Sequence, residues 1–164
     1  MLSFKVEGRM KSPYYVATVI NAYRRAIDHY YDCVKNNKPY SIPDELYGEL
    51  VKPSHRKYTT GFIFSDGKIR QNYESSIQTQ ESKFVGIVTS VEGNEITVEM
   101  RNKFSVGDTL EVLSPSDSFN KTITITKIID SKNHDTSCAK KVQEKVKIFY
   151  NDNVKLSAGD ILRI

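Results

Sequence analysis

The sequence has few of the features that mark secreted, metal-binding or membrane-spanning proteins. Its two cysteines, Cys33 and Cys138, are far apart and have no companion at metal-ligand spacing, so neither a disulfide framework nor a zinc site is predicted. No apolar run approaches the ~20 residues that span a bilayer, and the opening MLSFK contains no apolar signal-peptide core. These absences predict a soluble, cytoplasmic protein with no membrane partner.

A strong excess of one charge is also missing. The 164 residues have a net charge of +4 and a pI near 8.9, whereas dedicated nucleic-acid-binding proteins usually concentrate more positive charge. Hydrophobic residues make up 38% of the chain, which is enough to bury a core in one or two domains. Composition therefore allows RNA binding without requiring it.

A complete catalytic set is missing too. His55 lies among polar residues, and histidine is the common general base near neutral pH, but no Ser, Cys or carboxylate completes a triad at an instructive spacing. In segment 131–141, His134, Asp135 and Cys138 would supply only three mixed metal ligands. A hydrogen-bonded structural histidine and a polar surface loop are the favoured interpretations, with no catalytic residue assigned and no metal.

The start of the chain predicts a short strand, a polar turn and a long helix. Leu2, Phe4 and Val6 alternate with polar neighbours, as in a strand. Ser12 and Pro13 fit the N-cap and first position of a helix, and an apolar stripe at three- and four-residue steps continues that helix to about residue 35. Tyrosines in the stripe could stack on bases, although packing between helix and sheet is the simpler use.

Three charged side chains occupy the turn between that strand and helix: Glu7, Arg9 and Lys11. In α/β proteins this connection often carries functional groups, so the three are candidate substrate-binding residues. On the residues alone, a solvated strand–helix connection explains them as well.

The second half of the chain has a different pattern. Residues 65–82 are polar and turn-rich, which predicts a linker and a domain boundary near residue 81. The short alternating segments beyond it predict a small antiparallel β-barrel or sandwich. The predicted strands are 84–91, 95–100, 109–113, 121–129, 145–149 and 161–164.

An internal repeat supports the barrel. FSVGDTL at residues 104–110 matches LSAGDIL at 156–162, and in both the glycine would supply a left-handed turn residue while the aspartate accepts backbone N–H groups. Structural turns are predicted here, rather than catalytic aspartates. Four lysines within one short stretch, Lys140, Lys141, Lys145 and Lys147, could meet phosphates, although the neighbouring Glu144 and the low overall charge argue against it.

Three blocks together carry a family resemblance. FKVEGRMKSPYYVA at residues 4–17 resembles a signature of peptidase family U-32, the collagenase-like peptidases. SHRKYTTGF at 54–62 resembles the block that follows it, and VEMRNKF at 98–104, with Gly107 and Asp108, resembles the start of the family's C-terminal domain. The blocks come in the family's order and cover nearly the whole chain, so the match is specific.

The resemblance implies an α+β chain from the C-terminal part of a longer protein. Residues 1–81 would be a strand and long helix from the end of an upstream α/β (TIM-like) barrel domain, followed by a linker, and residues 82–164 would be the C-terminal β-barrel domain. That upstream domain is then the expected partner of residues 1–81. Without it, the apolar stripe of the helix would be exposed, pack on the small barrel, or pair with a second copy as a homodimer.

The resemblance also implies alternative functions. Family members are described as proteases, and some relatives act in tRNA or rRNA hydroxylation with an iron–sulfur cluster held upstream. The barrel would therefore bind a peptide substrate for a protease, or RNA for a hydroxylation protein, or serve as a lid or dimerisation domain. No cofactor is expected within these residues, and the chain alone is expected to be inactive.

By their place in the family blocks, two clusters are expected to form one substrate-binding rim. Its members are Glu7, Arg9, Lys11, His55, Arg56 and Tyr58. Arg9 would bind an anionic group bidentately, and Glu7 would orient that group or a substrate amine.

Overall fold

The computed structural model describes residues 3–55, 58 and 81–164. The chain divides into two compact units, residues 1–81 and 82–164. The described part of the first unit contains helices α1 (Pro13–Lys35) and α2 (Asp44–Val51). The described part of the second contains strands β1 (Phe84–Glu92), β2 (Glu95–Met100), β3 (Phe104–Ser105), β4 (Thr109–Leu113), β5 (Thr122–Ile129), β6 (Asp135–Thr136), β7 (Cys138–Ala139), β8 (Lys145–Tyr150) and β9 (Ile161–Arg163).

Helix α1 begins and ends at residues whose chemistry favours those positions. The Ser12 side chain accepts a hydrogen bond from the backbone N–H of Tyr15 at 3.2 Å, and Pro13 occupies the first turn, where its missing N–H has no cost. Just beyond the C-terminus, Asn37 has a left-handed φ of 53°, which stops a helix. The helix predicted from Pro13 to about residue 35 is confirmed.

The strand predicted before α1 is wrong for the residues that the structure describes. Residues 3–8 belong to no strand, and no other described segment of the first unit forms one. An isolated strand would leave its N–H and C=O groups unpaired, so alternating apolar residues make a strand only beside a neighbour.

The turn that follows residues 3–8 holds the chain close to α1. The Lys11 N–H donates to the Gly8 carbonyl at 2.9 Å. A Cβ atom on Gly8 would lie 2.8 Å from Cγ2 of Val16, so a larger residue would push the turn away from the helix.

The strands of the second unit close into a ring. Antiparallel pairing runs in the order β4-β9-β1-β2-β8-β5, and β5 pairs again with β4. Strand β6 extends this sheet from β5, and β3 pairs with β7. The predicted antiparallel β domain is confirmed, with its six main strands ending within one residue of the predicted bounds.

Alternation along these strands fills the ring with apolar side chains. Ile96, Val98 and Met100 of β2 are fully buried, as is Ile148 of β8. Ile96 and Ile148 face each other in the β2–β8 pair. Burying an aliphatic side chain of this size is worth about 1.5–3 kcal/mol, so the interior of the ring is the main source of stability in this unit.

Both Gly-Asp sequences form structural turns, as predicted. Gly107 and Gly159 have φ values of 90° and 97°, a conformation that only glycine adopts readily. In each turn an Oδ2 atom, of Asp108 or Asp160, accepts the N–H of the serine three residues earlier at 2.8 Å. The carboxylates therefore hold the turns that lead into β4 and β9.

The connection between β5 and β8 is more ordered than the predicted loop. These residues, 130–144, are called the β5–β8 insertion below. They contain β6 and β7, and β7 places Ala139 in the core with 3% of its surface exposed. The polar sequence of the insertion hides these strands because each is only two residues long, too short for an alternating pattern to show.

Candidate functional site

Lys11 joins the turn before α1 to the segment that follows α2. Its Nζ atom donates a hydrogen bond to the carbonyl of Ser54 at 3.1 Å. The same ammonium lies 5.2 Å from the centre of the Tyr15 ring, which is a cation–π distance. The two predicted clusters, at residues 7–11 and 54–58, are therefore brought together through Lys11.

His55 and Tyr58 form a stacked pair in this segment. Their ring centroids are 4.8 Å apart and the ring planes differ by 10°. Nδ1 of His55 lies 3.0 Å from the carbonyl of Pro53, so Nδ1 is assigned as the donor and Nε2 as the acceptor. The Tyr58 hydroxyl donates to the carbonyl of Leu50 at 2.7 Å. Backbone carbonyls thus hold both rings in place.

Tyrosines from both helices surround Tyr58. Partial burial raises the pKa of Tyr58, and the nearby Tyr15, Tyr23 and Tyr47 raise it further. The phenol therefore stays neutral and remains a hydrogen-bond donor at physiological pH. The exposed fractions of Tyr23, Tyr47 and Tyr58 lie between 44% and 62%. We call this group, with Lys11 and His55, the aromatic surface.

An apolar cleft of about 150 Å³ lies between α1 and α2 beside the aromatic surface. Its lining residues are Ala22, Tyr23, Ala26, Ile42, Leu46, Tyr47 and Leu50. Tyr23 and Tyr47 belong to both the cleft and the aromatic surface, and Leu50 carries the carbonyl that Tyr58 binds. A cavity of about 150 Å³ accepts a group the size of a benzene ring. The site is thus suited to a planar, π-rich group with a negative charge nearby.

Most of the predicted apolar stripe of α1 is exposed. Five of its seven residues are exposed, Ile27 is half-buried and Val19 is buried; Val16, Ile20 and Val34, for example, expose 37%, 49% and 57% of their surface. The other buried residues of α1 lie outside the stripe and are Tyr14, Thr18, Ala22 and Cys33. The sequence pattern favours tyrosines of the stripe packed between the helix and a sheet. The described part of the first unit has no such sheet, and the stripe tyrosines are exposed.

The other predicted rim residues are placed differently. Glu7 and Arg9 lie on the exposed turn, where a Glu7 carboxylate oxygen accepts the backbone N–H of Arg9 at 3.2 Å. Within the described residues, neither side chain makes a hydrogen bond, ion pair or ring contact with Lys11, His55 or Tyr58. Arg56 lies outside the described residues, as does most of the predicted linker.

Sequence reasoning considered Tyr23, as a stripe tyrosine that could stack on bases, but missed the contribution of Tyr15 and Tyr47. The two α1 tyrosines are eight residues apart, which places them on one face of a helix, and this signal was available. Tyr47 belongs to α2, and its approach to Tyr58 depends on how α2 packs on α1, which no local pattern encodes.

The described residues do not form a metal centre. Among them, no three His, Cys, Asp or Glu side chains lie close enough to hold a metal ion. Cys33 lies on α1 and Cys138 on β7, in different units. Iron–sulfur clusters are usually held by four cysteines, so this part of the chain does not fit one. None of its helices is both long and apolar enough to cross a bilayer.

Two family profiles match the chain over adjoining ranges. The profile of peptidase family U32 matches residues 1–73, and that of the peptidase family U32 C-terminal domain matches residues 80–163. The chain belongs to peptidase family U32. This confirms the resemblance carried by the three sequence blocks, and the C-terminal-domain match of this U32 chain contains all the strands from β1 to β9.

Curated relatives of this U32 chain carry two kinds of name. It is 38% identical over 124 residues to tRNA hydroxylation protein P of Escherichia coli K12, 34% identical over 148 residues to tRNA hydroxylation protein P1 of Bacillus subtilis 168, and 30% identical over 117 residues to an uncharacterized protease of Methanocaldococcus jannaschii. The alignments cover 74%, 88% and 68% of this chain but 26%, 34% and 28% of the relatives. The chain therefore spans about a quarter to a third of their length.

A solved structure also resembles this U32 chain. It is the C-terminal domain of a U32-family protein from Geobacillus thermoleovorans, 26% identical in sequence. The match covers 50% of this chain and 99% of that domain, with a TM-score of 0.44.

Proposed function

We propose that this U32 chain is the C-terminal part of a tRNA-hydroxylation protein and that it supplies RNA-binding surface to that protein. The observation that carries the proposal is the aromatic surface, where Lys11 lies on Tyr15 and the stacked rings of His55 and Tyr58 adjoin a ring-sized cleft. Single-stranded RNA is recognised by aromatic stacking beside cations. The names of the E. coli and B. subtilis relatives point to the same class of substrate.

The reaction itself would belong to an α/β domain that precedes these residues. The curated relatives are three to four times as long as the region they share with this chain. An iron–sulfur cluster, implied by the family resemblance, would be bound in that domain. The exposed Val16, Ile20 and Val34 on α1 support the same domain as the partner of the first unit, because large apolar side chains in one stripe favour a protein contact. A cytoplasmic location follows from the same proposal.

Each group of the aromatic surface has a distinct role in this proposal. Lys11 supplies the charge that attracts a phosphate. Tyr15, Tyr58 and His55 offer ring faces for stacking, and Nε2 of His55 is able to accept a hydrogen bond from a base or a 2′-hydroxyl. The Tyr58 hydroxyl is held by Leu50, so Tyr58 acts through its ring face. Glu7 and Arg9, on the exposed turn, would meet the RNA at the margin of this surface.

The test is tRNA binding by the 164-residue chain, measured by fluorescence anisotropy at several salt concentrations. Loss of one stacked base weakens binding by about 1–3 kcal/mol, so Tyr58→Ala should raise the Kd by about 5- to 150-fold. Lys11→Ala should make the slope of log K against log salt less steep, by the amount expected for the loss of about one phosphate contact. Tyr58→Phe should bind nearly as well as the wild type, because it keeps the ring.

Matched controls come from the far end of α1. Tyr31→Ala removes an exposed tyrosine, and Lys38→Ala removes an exposed lysine, both outside the aromatic surface. If these variants weaken tRNA binding as much as Tyr58→Ala and Lys11→Ala do, the aromatic surface is not the RNA site. Absence of tRNA binding at low salt would reject the RNA-binding function itself.

A peptidase is the second candidate, because the family bears that name and the M. jannaschii relative is named a protease. In this alternative the barrel binds a peptide substrate. Deletion of the gene followed by mass spectrometry of tRNA nucleosides separates the two: loss of a hydroxylated nucleoside supports the first, and unchanged tRNA with altered peptide cleavage supports the second. Light scattering of the chain tests the further alternative of a dimerisation domain.

A further inference from the structure

The barrel consists of two equivalent halves, β1-β2-β4 and β5-β8-β9. The first strand of each half has a bulge at the same place, at Thr89 in β1 and at Thr126 in β5. Each threonine hydroxyl donates to a carbonyl of the next strand in its half, that of Thr97 at 3.1 Å and that of Phe149 at 2.9 Å. The bulge and its threonine hydrogen bond therefore occur once in each half.

The two Gly-Asp turns exchange contacts between these halves. The Gly107 N–H donates to the Ile125 carbonyl of β5, and the Gly159 N–H donates to the Val88 carbonyl of β1, both at 2.8 Å. Each turn thus binds the first strand of the other half at the equivalent position, immediately before the bulge. The two halves are related by an approximate two-fold axis.

The halves differ in one connection. Gly93 and Asn94 alone join β1 to β2, whereas the β5–β8 insertion, residues 130–144, joins the equivalent strands of the second half. Since the first half closes with a two-residue turn, the barrel does not need the longer connection in order to close. The insertion is an addition to the fold, and its conformation calls for another explanation.

The insertion is nevertheless held in a defined conformation. The Asp130 carboxylate accepts the backbone N–H groups of Lys132 at 2.8 Å and His134 at 2.9 Å. At its other end, the Ser131 hydroxyl donates to the Glu144 carboxylate at 2.5 Å. Strand β7 pairs with β3 and buries Ala139. These contacts fix the backbone from which the insertion presents its side chains to solvent.

Two pairs of exposed lysines lie at the insertion. Lys132 follows Ser131, and the Lys141 carbonyl accepts the N–H of Glu144 at 3.1 Å. The hydrogen bond between Ser131 and Glu144 therefore brings the segments that carry Lys132 and Lys141 together. Lys140 follows Ala139 and Lys103 precedes its β3 partner Phe104, so these two lysines flank the same end of the β3–β7 pair. We call the four residues the lysine cluster.

The lysine cluster is available for an outside partner. Its four side chains are exposed, and within the described residues none of them is in an ion pair. By contrast, Lys147, which adjoins the cluster in sequence, is paired with Glu95 at 2.6 Å. The equivalent end of the first half carries Glu92 and Glu95 beside its short turn.

The insertion itself has no net charge, because its three lysines are balanced by Asp130, Asp135 and Glu144. Within the described residues, however, these carboxylates are engaged by Lys127, Ser131, His134 and backbone N–H groups and not by the ammonium groups of the lysine cluster.

We propose that the lysine cluster is a second RNA-contacting site, which binds the phosphate backbone of tRNA at a place separate from the aromatic surface. This inference rests on the proposed function. Lysine ammonium groups bind phosphates as point charges without reading bases, so the lysine cluster adds affinity while the aromatic surface adds stacking.

The experiment compares three variants of the full chain in tRNA binding between 50 mM and 200 mM salt. Lys103, Lys140 and Lys141 are changed to serine together in the first and to arginine together in the second. The third changes Lys83, Lys121 and Lys155 to serine, which removes the same charge from exposed positions of the barrel, and Lys155 is the two-fold counterpart of Lys103. Circular dichroism confirms that all three are folded.

Loss of three phosphate contacts should raise the Kd of the first variant about tenfold or more and reduce the salt slope by about two to three. The arginine variant should bind like the wild type, and the Kd of the third should change less than about threefold. Equal weakening in the first and third variants, or no weakening in either, overturns the lysine-cluster site and leaves the RNA function intact. If polyglutamate displaces tRNA when the two are present at equal concentrations of negative charge, the lysine cluster is instead a site for an acidic protein partner, and the proposed tRNA site is overturned. A wild-type chain that does not bind tRNA removes the proposed function and this site together.

Discussion

The barrel unit and the helical unit contain equally clear apolar patterns but bury them very differently. Ile96 and Ile148 of the barrel are fully buried, whereas Ile20 on α1 is 49% exposed. A ring of strands creates its own interior, since every inward-facing residue meets others across the ring. One stripe on a helix is buried only if a second surface is supplied. The pattern therefore identifies apolar faces in both units, but it predicts burial only where the partner lies in the same unit.

The sharpest test of this contrast is the same substitution in both units. Ile148→Ala should lower the free energy of unfolding of the barrel by about 3 kcal/mol, because it leaves a cavity in a closed core. Ile20→Ala should change stability by less than about 0.5 kcal/mol, since surface substitutions have small effects and alanine favours helix. Urea unfolding followed by circular dichroism measures both.

A large loss with Ile20→Ala would break the comparison, because it would show that the stripe of α1 is already buried against another surface in solution. A second copy of the chain is the first such surface to examine. Unfolding of Ile20→Ala at several protein concentrations would reveal it, since the stability of a dimer depends on concentration.

The same contrast explains which parts of the fold were predictable. The six main barrel strands and α1 were predicted closely because period, caps and turn residues agree with the final contacts. The strand at Phe4 and Val6 was wrong because the alternation was real but the described part of the first unit contains no strand with which it could pair. The short strands β3, β6 and β7 were missed because two residues cannot establish a period.

The site was predictable to a similar extent. Lys11, His55 and Tyr58 were placed on one rim from family blocks, and the structure brings them together. Glu7 and Arg9 lie on the turn that also carries Lys11, but within the described residues their side chains do not contact Lys11, His55 or Tyr58. Lys140 and Lys141 were visible as part of a run of lysines in the sequence. The contribution of Tyr47 depends on helix packing, and the place of Lys103 beside Lys140 depends on the β3–β7 register, so neither could be seen in local sequence.

The two Gly-Asp turns allow a comparison within the barrel. Asp160 is 2% exposed, whereas Asp108 is half-buried, and both accept the same backbone hydrogen bond. Loss of a charged acceptor costs about 1.5–3 kcal/mol, with more when a buried donor is left without a partner. We expect Asp160→Ala to cost about 2 kcal/mol and Asp108→Ala about 1 kcal/mol. Thermal unfolding of each variant measures the difference, and equal losses would show that burial does not distinguish the two turns.

In the helical unit, the side-chain hydrogen bond comparable to those of the Gly-Asp turns is the N-cap of α1, which Ser12 provides. Ser12→Ala removes the acceptor of the Tyr15 N–H and should cost about 1 kcal/mol. The loss should be confined to the first unit, so amide exchange should increase near residues 13–16 and stay unchanged in β1 to β9. Ser12→Asp, which keeps a capping oxygen, should retain stability. Faster exchange throughout the barrel would contradict the division into independent units.

The smallest effect is expected at the β5–β8 insertion, and it depends on pH. Hydrogen bonds from the backbone N–H of His134, and then of Lys132, hold the pKa of Asp130 below its usual range. Because the folded pKa is lowered, the carboxylate stabilises the insertion above the pKa of an unfolded aspartate, about 3.9, and this contribution is lost as pH falls through the folded value. The protection factors of the Lys132 and His134 amides, taken relative to the intrinsic exchange rate at each pH, should therefore fall in acid. Asp130→Asn should remove this pH dependence, whereas Asp117→Asn, which removes a charge from another exposed loop, should leave it in place. If the protection factors of these amides in the wild type do not change with pH, the Asp130 contacts do not order the insertion, and the backbone that carries the lysine cluster then has no fixed geometry.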